Sequence, residues 1–135
     1  MTAFRILFAC VGNAARSQMA EGFARAMAGD RVDARSGGSR PAGAVSRKAI
    51  EAMREKGIDI SGHQSKGFDE AWIRDEADLV VTMGCGEDAC PAFLGKRTID
   101  WKLEDPITMD LDGVRQVRDE IERRVRDLLS RERLL

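Results

Sequence analysis

With 135 residues, 22 lysines and arginines against 23 aspartates and glutamates, and a formal net charge of -1, the chain has no global field with which to hold nucleic acid or an anionic membrane surface. A hydrophobic fraction of 43% beside 33% charged residues argues against a disordered or membrane-spanning chain, and the length suits one domain, residues 1–135, around one core. The longest apolar run, Ile6 to Val11, is shorter than a signal-peptide core and well below the ~20 residues that cross a bilayer, so a cytoplasmic location is expected.

Arg5 to Cys10 is a short apolar run ending at Gly12-Asn13, as a buried strand ends at a turn. From Arg16 to Ala28, Met19, Phe23, Ala26 and Met27 recur at helical spacing, and Gly29-Asp30 closes the helix. Arg31 to Arg35 is a weaker strand running into the turn-rich segment Ser36-Gly37-Gly38-Ser39-Arg40-Pro41. Val45 to Lys56 then reads as a helix with Ile50 and Met53 inward and Gly57 as its stop. Phe68 to Asp75 is a short helix, Asp78 to Met83 the most β-like stretch of the chain, and Arg97 to Trp101 a fourth strand. In Leu111 to Leu129, Val114, Val117, Ile121, Val125 and Leu128 fall at steps of three and four, which makes an amphipathic closing helix. Its charge-rich run from Arg115 to Arg133 is expected to be the solvated face.

Strands alternating with helices predict an α/β fold, a single-domain, flavodoxin-like four-stranded parallel sheet of order 2-1-3-4 with helices on both faces. In that order the switch point lies between the first and third strands, and ligands bind outside their carboxyl ends. Cys10 ends the first strand, Cys85 closely follows the third, and Asp105 lies just past the fourth. Groups far apart in sequence therefore converge on one rim. The three cysteines, an odd number, do not close a disulfide framework and in a reducing compartment form a catalytic, redox-active or metal-binding set.

The strongest local signal is Cys10-Val11-Gly12-Asn13-Ala14-Ala15-Arg16-Ser17, a cysteine and an arginine bracketing small or turn-forming residues between a strand and a helix. Backbone N–H groups of Val11, Gly12, Asn13, Ala14, Ala15 and Arg16 can line an oxyanion cradle. The helix N-terminus adds positive potential, and the Arg16 guanidinium offers a two-point grip. The same field favours a Cys10 thiolate, with Ser17 as hydrogen-bond donor. The plain alternative is a buried strand-end cysteine beside a salt-bridged arginine. Zinc is rejected: with His63 the only histidine, a four-ligand site of cysteine and histidine would consume every thiol.

On these residues the chain resembles the low-molecular-weight protein tyrosine phosphatase superfamily, whose phosphate loop has a cysteine and an arginine separated by five residues, then Ser or Thr and a helix. The resemblance implies Cys10 as nucleophile, Arg16 as oxyanion binder, Ser17 as the hydroxyl that stabilises the thiolate, and Asp105 of Asp105-Pro106 as general acid. Within that superfamily the arsenate reductases are more similar. The likeness runs through Gly12-Asn13-Ala14-Ala15-Arg16-Ser17-Gln18-Met19-Ala20-Glu21-Gly22-Phe23, Ser36-Gly37-Gly38-Ser39-Arg40-Pro41-Ala42-Gly43, Gly57-Ile58-Asp59-Ile60-Ser61-Gly62-His63-Gln64-Ser65-Lys66 and Val80-Val81-Thr82-Met83-Gly84-Cys85-Gly86.

What the resemblance implies for Cys85 and Cys90 is a relay. Cys85 attacks the sulfur of a Cys10–arsenic adduct, and Cys90 then frees Cys10 and passes the oxidised pair to thioredoxin, mycothiol or a glutaredoxin. A hydrolase resolves its cysteinyl intermediate with water and has no use for two further thiols. In a regular helix, Cα atoms five apart lie roughly 8–9 Å from each other, beyond the ~7 Å a disulfide spans. A Cys85–Cys90 bond therefore requires the segment between Gly84 and about Gly95 to unwind, which Gly84 and Gly86 make easier.

Departures from the resemblance matter too. Ala15 stands where relatives carry another cysteine, and Ile107-Thr108 follow Asp105-Pro106 in a chain without tyrosine, which argues against a phosphotyrosine substrate. Asn13, Glu21 and Ser36 match positions that hold potassium in part of the superfamily, but Lys66 replaces an acidic ligand there, so its ammonium is expected to take the ion's place beside Glu21. Asn13 is expected in a left-handed conformation braced by Ser36, and His63 as a structural hydrogen-bonder.

The expected function is reduction of arsenate to arsenite, with phosphate or sulfate competing, no cofactor, and no nucleic-acid or membrane partner. A phosphatase for small phosphoesters or phosphoprotein is the rival enzyme, and an oxyanion- or flavin-binding module the rival from another class.

Overall fold

A computed structural model describes residues 3–84 and 96–135. Four strands, β1 (Phe4–Cys10), β2 (Val32–Gly38), β3 (Leu79–Thr82) and β4 (Thr98–Asp100), form one sheet of order β2-β1-β3-β4. All three pairings are parallel, as the alternating pattern predicts. The helices are α1 (Arg16–Ala28), α2 (Arg47–Arg54), α3 (Glu70–Asp75) and α4 (Leu111–Arg131). Among the described residues, no helix is long and apolar enough to cross a membrane.

β1 is the middle of the core because its alternation serves both faces of the sheet. Ile6, Phe8 and Cys10 face one side with Met19, Phe23, Met53, Ile121, Val125 and Leu129, whereas Leu7 and Ala9 face the other with Trp72, Ile73 and Val80. Helices therefore cover both faces. Burying side chains of this size stabilises the fold by about 1.5–3 kcal/mol each. The Phe8 and Trp101 rings, 6.1 Å apart, tie the segment after β4 to the strand that carries Cys10.

The helices start where side chains cap them. Ser46, Asp69 and Asp110 accept from Ala49 N, Trp72 N and Gly113 N. α1 is the exception, since Ala15 offers no side-chain cap, and its first amides stay available at the rim. Gly57, at φ 75, ends the α2 segment as expected, although the inward residues are Ala49, Ala52 and Met53, with Ile50 only partly buried.

Two expectations are corrected. β2 does not stop at Arg35 but continues through Ser36 to Gly38, which pairs with Cys10. The glycines there permit close approach rather than a turn: a Cβ at Gly38 would lie 2.5 Å from Val11 O and 2.9 Å from Asn13 N. The run Arg115 to Arg133 is not wholly a solvated face either. Arg118 is buried and donates to Ala52 O at 2.9 Å and Glu55 Oε1 at 2.6 Å, because α4 crosses the C-terminal end of α2, where exposed carbonyls need donors.

Candidate active site

β1 delivers Cys10 to the carboxyl rim, where it pairs with Gly38, while the β1–β3 register ends at Ala9 and Thr82. The chain then loops through residues 11–15 into α1. Ser39 N donates to Cys10 O at 3.2 Å, Arg40 N to Val11 O at 2.8 Å, Ala42 N to Gly12 O at 2.9 Å and Ser46 N to Ala14 O at 2.9 Å. Ser65 Oγ adds a second bond to Gly12 O, Gln18 Nε2 bonds Asn13 O, and Met19 N takes Ala15 O. Across a trans peptide the C=O and the following N–H point in opposite directions. With the carbonyls held by the surrounding protein, the amides of the loop face the other way, as a cradle for an oxyanion requires.

Cys10 lies on the buried floor of this loop. Its Sγ is 2.8 Å from Ser17 Oγ and accepts from Asn13 N at 3.2 Å. Asn13 takes the left-handed conformation, φ 49, that lets the loop turn so tightly. The expected brace from Ser36 is replaced. Asn13 Nδ2 donates to Ser17 Oγ, and Asn13 Oδ1 accepts from Gln18 Nε2 and Lys66 N, each at 2.8–2.9 Å. Because β2 is longer than expected, Ser36 instead faces α1, where its hydroxyl donates to Glu21 Oε1 at 2.9 Å.

Arg16, also buried, reaches across the sheet. Its Nη1 donates to Met83 O at 2.6 Å and Leu103 O at 3.1 Å, and its Nη2 is 3.5 Å from Asp105 Oδ2. Gly84, at φ 78, makes this possible: a Cβ there would fall 2.8 Å from Arg16 Nη1 and 2.5 Å from Leu103 O. Asp105 is extended, as expected before Pro106, at φ -76 and ψ 118, and its carboxylate accepts from Ile107 N. It is 49% exposed, and Ile107 beside it is 59% exposed.

Behind the loop, buried Glu21 gathers basic side chains. Lys66 Nζ is 3.9 Å from it, Arg25 Nη2 3.5 Å and His63 Nδ1 3.3 Å. The Lys66 ammonium thus stands beside Glu21 as expected, though in company. Burial pushes the His63 imidazole below its ordinary value of 6.5, against the opposing pull of Glu21. Among the described residues, no group of three His, Cys, Asp or Glu could hold a metal ion. Cys85, Cys90 and the segment proposed to unwind lie outside the described residues.

Thus Cys10, Arg16, Ser17 and Asp105 come together on one rim, with Asn13 in the loop and Ser36, Glu21 and Lys66 behind it. The structure adds Gln18, Ser65 and Gly84. For Gln18 the available signal was a polar residue in the first turn of a helix that is largely buried; for Gly84, a glycine directly after a strand at the carboxyl rim.

The profile of the low molecular weight phosphotyrosine protein phosphatase family matches residues 5–134. "Arsenate reductase 2" of Staphylococcus haemolyticus is 41% identical over 128 residues, 93% of this chain and 96% of that protein. The glutaredoxin arsenate reductase of Synechocystis sp. is 36% identical over 129 residues, 94% and 97% of the two chains. Among solved structures, an arsenate reductase in the phosphate binding state superposes with a TM-score of 0.84 at 36% identity, covering 95% of this chain and 98% of the other. A thioredoxin-dependent arsenate reductase of Corynebacterium glutamicum does so with 0.83 at 36% identity, covering 98% of this chain and 63% of the other.

Proposed function

This chain belongs to the low molecular weight phosphotyrosine protein phosphatase family, and within that family we propose that it is an arsenate reductase working through a Cys10 adduct and a Cys10/Cys85/Cys90 relay. One observation carries the reading. A buried thiol sits in an amide-lined loop, 2.8 Å from the Ser17 hydroxyl, in a chain that holds two further cysteines which a hydrolase would not need. The relatives named as arsenate reductases, at 41% and 36% identity, support the choice of substrate.

Arsenate is held by the loop amides of residues 11–16 and by the Arg16 guanidinium through the edge away from Nη1, which bonds two carbonyls. The Cys10 thiolate attacks arsenic, forming an S–As bond while one As–O bond breaks. Asp105 supplies the proton with which that oxygen leaves as water. Cys85 thiolate then attacks Cys10 Sγ. An S–S bond forms, the S–As electron pair passes to arsenic, and arsenic leaves as arsenite, reduced by the two electrons the thiols give up. Cys90 attacks Cys85 Sγ and releases Cys10 as thiolate, leaving a Cys85–Cys90 disulfide for an external dithiol to reduce. Thioredoxin is the proposed donor, and mycothiol or a glutaredoxin the alternative. Phosphate and sulfate compete for the same amides.

Arsenate-dependent NADPH oxidation, with thioredoxin and its reductase and in parallel with mycothiol- and glutaredoxin-based relays, tests this. Turnover in one relay, lost in Cys85→Ser and Cys90→Ser, is expected. Hydrolysis of small phosphoesters that survives both substitutions, without arsenate turnover, would replace the reductase with a phosphatase.

A further inference from the structure

Gln18 is a fully buried polar side chain (0% exposed) on the first turn of α1, and every part of its amide is engaged. Nε2, with two hydrogens, meets three acceptors, so one hydrogen is shared: Gln64 O at 2.9 Å, Asn13 Oδ1 at 2.9 Å and Asn13 O at 3.2 Å. Its Oε1 is 2.9 Å from His63 Nδ1. The orientation of the amide is not free. Gln64 O and Asn13 O are carbonyls and only accept, so the atom facing them is the nitrogen. Asn13 is fixed in the same way: Lys66 N only donates, so the Asn13 atom it meets at 2.9 Å is Oδ1, and Nδ2 faces Ser17 Oγ at 2.8 Å. Ser17 therefore accepts from Asn13 and keeps its own hydrogen for Cys10 Sγ, 2.8 Å away. At the other end, His63 Nδ1 faces two acceptors, Gln18 Oε1 and Glu21 Oε2 at 3.3 Å, which requires the proton on Nδ1.

Resting on the reading of Cys10 as nucleophile, we propose that Gln18 is a positioning residue that links His63 to the thiol through a chain of hydrogen bonds all donated in one direction. His63 Nδ1–H donates to Gln18, Gln18 to Asn13, Asn13 to Ser17, and Ser17 to Cys10. Bonds in such a chain polarise one another, so the Ser17 hydroxyl is committed as donor to Cys10 Sγ. The chain also holds Asn13 in its left-handed conformation, because Gln18 bonds both its carbonyl and its side chain. A neutral imidazole suits this arrangement, since Nδ1–H already supplies the required donor and burial opposes a second proton.

Two measurements test the proposal. His63 is the only histidine in the sequence, so its imidazole nitrogens are assigned without ambiguity by NMR on the unmodified protein. The expected tautomer at neutral pH carries hydrogen on Nδ1; hydrogen on Nε2 instead would overturn the chain's direction. In Gln18→Met, of similar volume and without polar atoms, iodoacetamide should alkylate Cys10 about tenfold more slowly at mildly acidic pH than in the unmodified protein, as a one-unit change in thiol acidity gives. Labelling of Cys85 and Cys90 should not change. An unaltered Cys10 rate in folded Gln18→Met would make Gln18 a packing residue only. If that variant does not fold, the tautomer alone decides. Neither readout uses arsenate, so failure of arsenate turnover in the unmodified protein overturns the reductase reading without touching this one.

Discussion

On one side of the site, residues 10–15 have each carbonyl held by a neighbouring donor, and the thiol lies on a buried floor. On the other, Asp105 is half exposed and its carboxylate takes one backbone N–H, that of Ile107, and a 3.5 Å approach from Arg16. The difference teaches how the labour is divided. Binding a tetrahedral oxyanion depends on many amides already aimed, so that half is built into the core and cannot relax. The proton donor proposed here, Asp105, hangs from a short extended segment where it meets solvent and can exchange its proton. Among the described residues Arg16 belongs to both, since Nη1 is anchored to the end of β3 and the post-β4 segment while Nη2 approaches Asp105.

The largest effect is expected where the two halves meet. Arg16→Lys should lower arsenate turnover by about 10²–10³, the usual cost of losing a transition-state oxyanion donor. An ammonium cannot keep both carbonyl anchors and a planar grip. Circular dichroism should show the fold intact. Near-normal turnover would mean that the amides suffice and that Arg16 serves only as a tie.

Asp105→Asn separates the halves more finely. General-acid loss typically costs about 10²–10⁴ in rate, of which the low end is expected here because water reaches the position. Alkylation of Cys10 by iodoacetamide, and its protection by phosphate, should be unchanged. A parallel loss of Cys10 reactivity would show that the two sides are electrostatically one.

A smaller effect is expected from Gly84→Ala, which perturbs the joint without removing a charge. A side chain at φ 78, with Cβ 2.5 Å from Leu103 O, should cost about 1–3 kcal/mol in urea unfolding. It should also weaken phosphate binding by pushing Arg16 aside. Stability lost with phosphate affinity unchanged would confine Gly84 to the fold.

The smallest effect lies far from either half and serves as a control. Arg115 and Arg118 beside exposed Glu55 lower its carboxyl from 4.5 to about 2, so the pairs contribute stability that is fully present above 4.5 and is lost as pH falls toward 2. Glu55→Gln should remove that part of the acid transition seen by circular dichroism and leave phosphate binding at neutral pH unchanged. His63 adds its own loss earlier on acidification. Burial lowers its value, against Glu21, which raises it; Arg25 and Lys66 lower it further and Asp59 raises it, and the balance lies below 6.5. Stability from its neutral form is present above that value and declines as pH falls below it.

Local pattern determined a great deal of this protein. The parallel order follows from strands alternating with helices, and the inward residues of α4 follow from steps of three and four. The loop from Cys10 to Ser17 is legible because a cysteine, small residues and an arginine stand contiguous between a strand and a helix, as a loop that could wrap one oxyanion needs. Asp105 before Pro106 is extended because the ring following it allows little else. What only the tertiary structure decided are the partners of those groups. Ser36 belongs to Glu21 rather than Asn13 because β2 extends through Gly38. Arg118 is buried because α4 crosses the end of α2. Gln18 matters because Gln64 O and the His63 ring meet it, and Gly84 because Leu103 O lies against it. Hydrogen bonds and close approach act over about 3 Å between segments distant along the chain, and no periodicity within one segment records what will be brought against it.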